Sequence, residues 1–209
     1  MKIVLIGAPG SGKGTLAVGL EKKLGLKHLS FGQIVRQFAK NNPEVKKVID
    51  NGGLIDDALA KQILFSRLNH SDCQNGFLLD GFPRNISQAK ILKQFLEIDL
   101  VLFLEISETE IYQRLAKRLS CPKCNMVYNK SIYHLENCNV CGAKLECRAD
   151  DNSMAIQKRI DIFNQNKDAL LEFYGNKVKA INAEAVAEDV QEAAINIIKE
   201  SKVGCKNTK

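Results

Sequence analysis

Short apolar runs alternate with helical periods along most of this chain. Lys2 to Ile6 is apolar, rich in β-branched residues and followed at once by Gly and Pro, which predicts a buried strand. From Lys13 to Leu24, the residues Leu16, Ala17, Leu20 and Leu24 recur at helical spacing, and Gly25 supplies the stop. Lys27 to Ser30 predicts a short second strand. Residues 32–51 read as two short helices broken at Pro43 and halted by Gly52-Gly53. Asp56 or Asp57 can cap the next helix, which runs to about Asn69. Gly76 to Asp80 predicts a third strand, closed by Gly81-Phe82-Pro83, and Ser87 to Phe95 a helix. Leu100 to Leu104 is the strongest strand signal. Strands alternating with helices imply a parallel sheet covered on both faces.

Beyond Ser120 that rhythm stops. Residues 121–147 hold five Cys, two Tyr and several Asn with little helical period, which marks an insertion. Within it, Val127–Asn129 and Ile132–Leu135 read as paired strands. Helical pattern resumes with Ile156, Ile160 and Phe163. A last strand is expected near Lys177–Ile181, and a last helix carries Val186, Val190, Ala194 and Ile197. Ser201–Lys209 reads as a frayed tail.

Length and composition narrow the class. A chain of 209 residues fits one compact domain with a small insertion. With 45% hydrophobic and 26% charged residues, disorder and collagen-like repeats are excluded. No apolar run approaches the roughly 18–20 residues of a membrane span. Ile3–Ala8 is apolar but no A-x-A-like site follows, so neither a signal peptide nor a membrane partner is expected, and the expected location is cytoplasmic. The net charge of +6 reads as a mildly basic surface.

Seven Cys, an odd number, argue against a disulfide framework. Cys73 reads as a packed thiol and Cys205 as a tail residue without a role. Four of the others form two C-x-x-C pairs, Cys121/Cys124 and Cys138/Cys141, with 13 residues between the pairs. Four thiolates satisfy tetrahedral Zn²⁺ and leave no open position, so the expected role is structural. A redox-active pair is the weaker reading, since no thioredoxin-like context surrounds them. Cys147 is a possible substitute ligand. A small insertion with few large apolar residues needs such a tether.

The segment Gly7-Ala8-Pro9-Gly10-Ser11-Gly12-Lys13-Gly14-Thr15 lies between the first strand and the first helix. Its Gly residues let backbone N–H groups turn onto a phosphate, and the helix behind adds its positive end. Lys13 can reach the β/γ-phosphates, and a hydroxyl can hold Mg²⁺. The general pattern asks for Ser or Thr directly after the Lys; here Gly14 intervenes and Thr15 follows.

That shifted Gly-Lys-Gly-Thr form resembles the loop of nucleoside monophosphate kinases. Asp80-Gly81-Phe82-Pro83-Arg84 is similar to the signature segment of adenylate kinases. Arg148-Ala149-Asp150-Asp151 with Lys158-Arg159 resembles the lid exit of that family, and the two C-x-x-C pairs resemble the zinc-bearing lid of some bacterial members. The resemblance spans residues 1 to about 198. It implies an α/β P-loop kinase fold: a five-stranded parallel sheet flanked by helices, with a small zinc-ribbon-like lid. The core would be 1–30, 60–117 and 156–209, the monophosphate-binding segment 31–59 and the lid 118–155, both closing over substrates. The implied activity is reversible, Mg-dependent transfer of the ATP γ-phosphoryl group to AMP, in a monomer.

The resemblance also implies roles. Gly10, Ser11, Gly12, Lys13, Gly14 and Thr15 would hold ATP with Arg118, while Arg114 would lie over the base or stand as a solvated helix residue. Phe31, Arg36, Gly81, Arg84, Gln88, Arg148 and Arg159 would hold AMP. Lys13, Arg84, Arg118, Arg148 and Arg159 would surround the moving phosphoryl group. Thr15 and Asp80 would serve Mg²⁺, Asp80 through water. Asp150 and Asp151 would orient the Arg residues or shape a hinge; an N-cap at Asp151 or Asn152 is the alternative. His28, His70 and His134 are scattered and read as structural or exposed. The chain departs from the family at Ser30-Phe31-Gly32-Gln33, where Ser-Thr-Gly-Asp is usual, and at Asn85, where Thr is usual. Phe31 can stack on a base or wall it off. AMP is the expected acceptor, UMP or CMP the alternatives. A zinc-ribbon nucleic-acid-binding NTPase is a further alternative, but residues 121–147 carry few Lys or Arg and no basic run with interleaved aromatics, so no nucleic-acid partner is expected.

Overall fold

The computed structural model describes the backbone of residues 1–204 and the side chains of 1–201. The expectations for Cys205 and for the tail beyond Gly204 lie outside these residues. Five strands, β1 (Lys2–Gly7), β2 (Lys27–Ser30), β3 (Phe77–Asp80), β4 (Leu100–Glu105) and β7 (Val178–Asn182), form one parallel sheet in the order β2-β3-β1-β4-β7. The β1 residues Ile3 to Ile6 are all buried, as a central strand covered on both faces requires. Their side chains alternate. Val4 and Ile6 join Leu79 and Val101 on one face; Ile3 and Leu5 join Leu78, Leu100 and Leu102 on the other.

Helix α1 (Lys13–Leu24) covers the second face through Leu16, Ala17 and Leu20, beside α8 (Ala187–Gly204) with Val190, Ala194 and Ile198. Gly25 ends α1 in the left-handed region, as its position predicts. The first face is covered by α2 (Phe31–Ala39), α4 (Asp57–Leu68), α5 (Ile86–Phe95) and α7 (Ser153–Tyr174). Pro43 opens α3 (Pro43–Asp50), and Asp56 caps α4 by accepting from Leu59 N–H.

Three elements differ from the sequence reading. Helix α6 (Glu108–Ala116), which the sequence reading touches only at Arg114 and gives no bounds, is capped by Ser107, and its Ile111 and Leu115 pack on Ile156 and Ile160 of α7. In the insertion, β6 (Val127–Asn129) pairs antiparallel with β5 (Arg118–Ser120), not with Ile132–Leu135. The chain turns back at Asn129, whose carbonyl accepts from Ile132 and Tyr133 N–H, so Ile132 is left 81% exposed. Last, α8 continues through Ser201 to Gly204, where fraying was expected.

The register places the chemistry. Leu5 pairs with Asp80, so β1 and β3 end side by side at the C-terminal edge of the sheet. The loop after β1 and the Asp80–Arg84 turn therefore meet in the crevice where parallel α/β sheets bind ligands.

Candidate functional site

The loop from Gly7 to α1 turns sharply. Gly10 and Gly12 have φ of +82° and +89°, a region that disfavours side chains, and a Cβ at Gly10 would stand 3.0 Å from Leu115 of α6. Helix α6 thus backs the loop and brings Arg114 Nη1 to 3.8 Å from the position a Gly12 Cβ would take; Arg114 Nε also donates to Glu110. Lys13 folds back over the loop. Its Nζ donates to Gly7 O and Ala8 O at 2.7 Å each and lies 3.3 Å from Ser11 Oγ. Desolvation lowers the Lys13 ammonium to about 8; Asp80 pulls it upward, and Arg84, Arg159 and Arg118 push it further down.

Asp80 is buried at the end of β3, and its Oδ2 lies 3.7 Å from where a Gly14 Cβ would stand. Burial alone would raise its carboxyl, but His28, Lys13 and Arg84 outweigh burial and hold it below the ordinary range. His28 Nε2 is 3.5 Å from Asp80 Oδ2 and is buried with no well-formed hydrogen bond. Sequence reasoning passed over His28. The signal was the second strand itself: His28 pairs with Leu78, so Asp80 is its diagonal neighbour on the same face. Thr15 sits exposed in the first turn of α1.

Five guanidiniums converge on this crevice from separate segments. Arg36 comes from α2 and Arg84 from the turn after β3. Gly32 makes room for both: a Cβ there would stand 3.4 Å from Arg36 Nη1 and 3.6 Å from Arg84 Nη2. Arg84 Nε donates to Gly81 O at 2.8 Å. Arg118 enters from β5 and forks onto Asp151 through Nε and Nη2. Arg148 forks onto Asp150 at 2.9 and 2.7 Å. Arg159 of α7 places Nη1 3.2 Å from both carboxylates. Asp150 and Asp151 thus orient Arg side chains, and the N-cap of α7 is Asn152, which accepts from Ala155 N–H. Burial would raise Asp150, but Arg148 and Arg159 draw it down to about 2.

Six cations, with Lys13, face three carboxylates, leaving three positive charges in a desolvated crevice. Desolvation and mutual repulsion push Arg36 down to about 9 and Arg84 to about 10. Such a cluster is short of anions. Phosphate oxygens match guanidinium forks and supply the missing charge.

Phe31 is buried with its ring edge-on to Phe82 at 5.1 Å. Gln88 is buried on α5, capped by Asn85. The 31–59 segment packs against the start of α7: a Cβ on Gly52 would stand 2.6 Å from Ala155 O. Beside that contact, a cavity of about 590 Å³ is lined by Val48, Gly53, Leu54, Asn85, Lys158 and Ile162.

The insertion gathers Cys121, Cys124, Cys138 and Cys141 so that their Sγ atoms all lie within 4.8 Å of one another. Cys121–Cys141 and Cys124–Cys138 are 3.3 and 3.4 Å apart. A Zn–S bond of about 2.3 Å implies tetrahedral S···S separations of roughly 3.8 Å, so these two pairs would open by a few tenths of an ångström while separations nearer the 4.8 Å limit would shorten. Cys124 N–H donates to Cys121 Sγ and Val140 N–H to Cys138 Sγ. Desolvation opposes a Cys138 thiolate, but the Tyr128 hydroxyl and the Val140 and Cys141 N–H groups favour it and bring the thiol to about 6. Cys147 is exposed beside Lys130, outside the cluster.

A Gly-rich loop between β1 and α1, a buried carboxylate at the next strand end and an Arg-lined crevice define a P-loop nucleotide phosphotransferase. The family model described as adenylate kinase matches residues 5–179. An adenylate kinase of Caldicellulosiruptor saccharolyticus is 36% identical over 208 residues, covering 92% of this chain and 96% of its own. One of Thermosipho africanus is 33% identical over 213 residues, covering 95% of this chain and all of its own. The chain belongs to the adenylate kinase family.

Proposed function

We infer that this chain transfers the γ-phosphoryl group of ATP to AMP, reversibly, giving two ADP. The observation that carries this reading is the anion-hungry crevice: Lys13 and five Arg residues converge where β1 and β3 end, opposite only three carboxylates. An oxygen of the AMP phosphate attacks the γ-phosphorus, and the bond to the β–γ bridging oxygen breaks, leaving ADP. The transition state spreads charge over the transferred oxygens, so catalysis is mostly positioning and electrostatic stabilisation. Lys13, with the N–H groups of Gly10, Gly12, Gly14 and Thr15 and the turn that Ser11 N–H closes on Ala8 O at 3.1 Å, holds the ATP phosphates, and Arg114 lies over the base. Arg36 and Arg84 hold the AMP phosphate beside Gly81. Arg118, Arg148 and Arg159 follow the moving group. Thr15, and Asp80 through water, would hold Mg²⁺, which would supply charge neutralisation for the phosphates. Gln88 reads the acceptor base and Phe31 walls its pocket. The lid, 118–155, and the 31–59 segment close over ATP and AMP and exclude water that would otherwise hydrolyse ATP. Zn²⁺ on the four Cys holds the lid's shape.

A coupled assay with ATP and Mg²⁺ against AMP, UMP, CMP and GMP in parallel tests this. The expected result is strong preference for AMP. Transfer to another base would move the acceptor assignment, and no transfer to any of them, with ATP bound, would sink the reading.

Lys13 gives a pH signature. Its ammonium is lowered to about 8, first by desolvation. A bound polyphosphate draws it back up, so ATP binding takes up protons above that value. Affinity for ATP is therefore full below pH 8 and falls as pH rises past it, by at most about tenfold per unit. Calorimetry of ATP binding at pH 9, in two buffers of different ionisation heat, is expected to show net proton uptake; heats independent of the buffer would refute it.

A further inference from the structure

Gln88 is 2% exposed, and two of its four hydrogen-bonding positions are spent on the protein. Its Oε1 accepts from Arg84 N–H at 2.8 Å, and its Nε2 donates to Asp57 Oδ1 at 2.9 Å. These partners force the assignment of the amide. A backbone N–H only donates and an ionised carboxylate only accepts, so the reversed amide would set donor against donor and oxygen against oxygen. Asp57 is held below its ordinary range: burial would raise it, but Ser87, Gln88 and Asn85 outweigh burial. Asn85 completes the arrangement. Its Nδ2 donates to the same Asp57 oxygen at 3.2 Å, while its Oδ1 accepts from Gln88 N–H at 2.8 Å. One carboxylate at the first position of α4 thereby fixes an amide 31 residues away on α5.

We propose that Asp57 is a positioning residue for acceptor specificity, setting the purine edge that the enzyme accepts by locking the orientation of Gln88. The proposal rests on the reading that Gln88 faces the acceptor base. The locked amide has one N–H and one lone pair left. That pair matches an adenine edge, which offers an amino donor at C6 and a bare acceptor at N1. A 6-oxopurine carries the opposite pattern, an acceptor at C6 and N1–H, and fits only the reversed amide. A site whose buried groups would be left unpaired rejects the wrong partner far more strongly than an apolar pocket does. An amide at position 57 can turn either its oxygen or its NH2 toward Gln88, so only the Arg84 N–H contact still selects the orientation, and reversal meets one mismatch instead of two.

The test compares AMP with IMP as acceptors for wild type, Asp57→Asn, Asp57→Glu and Gln88→Leu. Asp57→Asn is nearly isosteric and keeps the helix start. The expected result is a KM for AMP raised about tenfold with kcat within about threefold, and an AMP-to-IMP ratio of kcat/KM lowered tenfold or more. Asp57→Glu, which restores the carboxylate, is expected to recover most of the ratio. A merely structural role would lower the melting temperature and both activities together with the ratio unmoved, and that outcome overturns the proposal. Unchanged KM for AMP in Gln88→Leu would remove the base contact itself and the proposal with it, while activity with AMP as acceptor would still stand.

Discussion

Arg84→Met is expected to lower kcat by about a thousandfold while leaving the unliganded protein at least as stable as wild type. The first half follows from the transition state. Arg84 is half-buried and aimed by its Nε–H bond to Gly81 O, so on the proposed reading its fork is pre-set for a phosphate where charge spreads during transfer. Removing one oriented donor from such a site typically costs 10²–10³ in rate, and a charged one contributes more. Arg84→Lys keeps the charge without the planar fork and is expected to recover only a minor part. The second half follows from the sign of the shift. Burial first, then Arg159, holds the folded pKa of Arg84 near 10, below its unfolded value, with Asp80 and Asp150 only partly compensating. Charge is therefore disfavoured in the empty fold. That cost is fully present below the folded pKa and disappears as pH rises past the unfolded one. At neutral pH the charge destabilises the empty protein, and substrate phosphates reverse the balance, as functional sites often require. Steady-state kinetics with thermal melts, with and without ATP and AMP, checks both halves. A melting temperature well below wild type in the empty variant would show that Arg84 supports the fold and not the reaction.

The part of this site legible in the sequence is the part made by neighbours in the chain. Strand, glycine loop and helix around Lys13 follow each other within 23 residues, from Lys2 to Leu24, and each leaves a local signal. The four Cys were equally plain, since their spacing carries the chemistry. The five Arg residues are different. Nothing local distinguishes Arg36 or Arg148 from a solvated charge, and only the resemblance singled them out. The structure then adds what a pattern cannot hold: Asp150 and Asp151 orient three of them. His28 and Asp57 were missed for one reason. Their partners, Asp80 and Gln88, are 52 and 31 residues away and meet them only through strand pairing and helix docking. The bounds of helix α6 were missed although Ser107, Glu110, Ile111 and Leu115 mark its cap and its apolar stripe. The misplaced ribbon strand had a physical cause as well. Ile132 to Leu135 is apolar enough for a strand, but the turn at Asn129 spends the backbone groups that a ladder would need.

Stripping the lid of its metal is expected to disorder residues 121–147 and lower kcat at least tenfold, while the five-stranded sheet survives. The lid's own buried apolar cluster is small: Cys121, Cys138 and Leu145, with Leu119, Met126, Tyr128 and Tyr133 only partly covered. One buried Leu contributes about 2 kcal/mol, far less than ordering some 27 residues costs. Structural zinc in small domains contributes on the order of 10 kcal/mol, several times what that Leu supplies. The core needs no such help, since its two large clusters flank the sheet and include no lid residue. The damage should nevertheless reach catalysis. Arg118 begins β5 and Arg148 follows the last cluster residue by seven positions, so both guanidiniums leave their carboxylates when the ribbon between them loosens. A colorimetric assay under reducing conditions should release one zinc per chain. After chelation, a protease should cut within 121–147, with far-UV circular dichroism nearly unchanged. Cys138→Ser should behave as the stripped protein does and should not be rescued by added zinc at stoichiometric concentration. Protein that contains no zinc as purified, or that keeps its lid intact and its kcat after chelation, would mean the four Cys hold the ribbon by themselves.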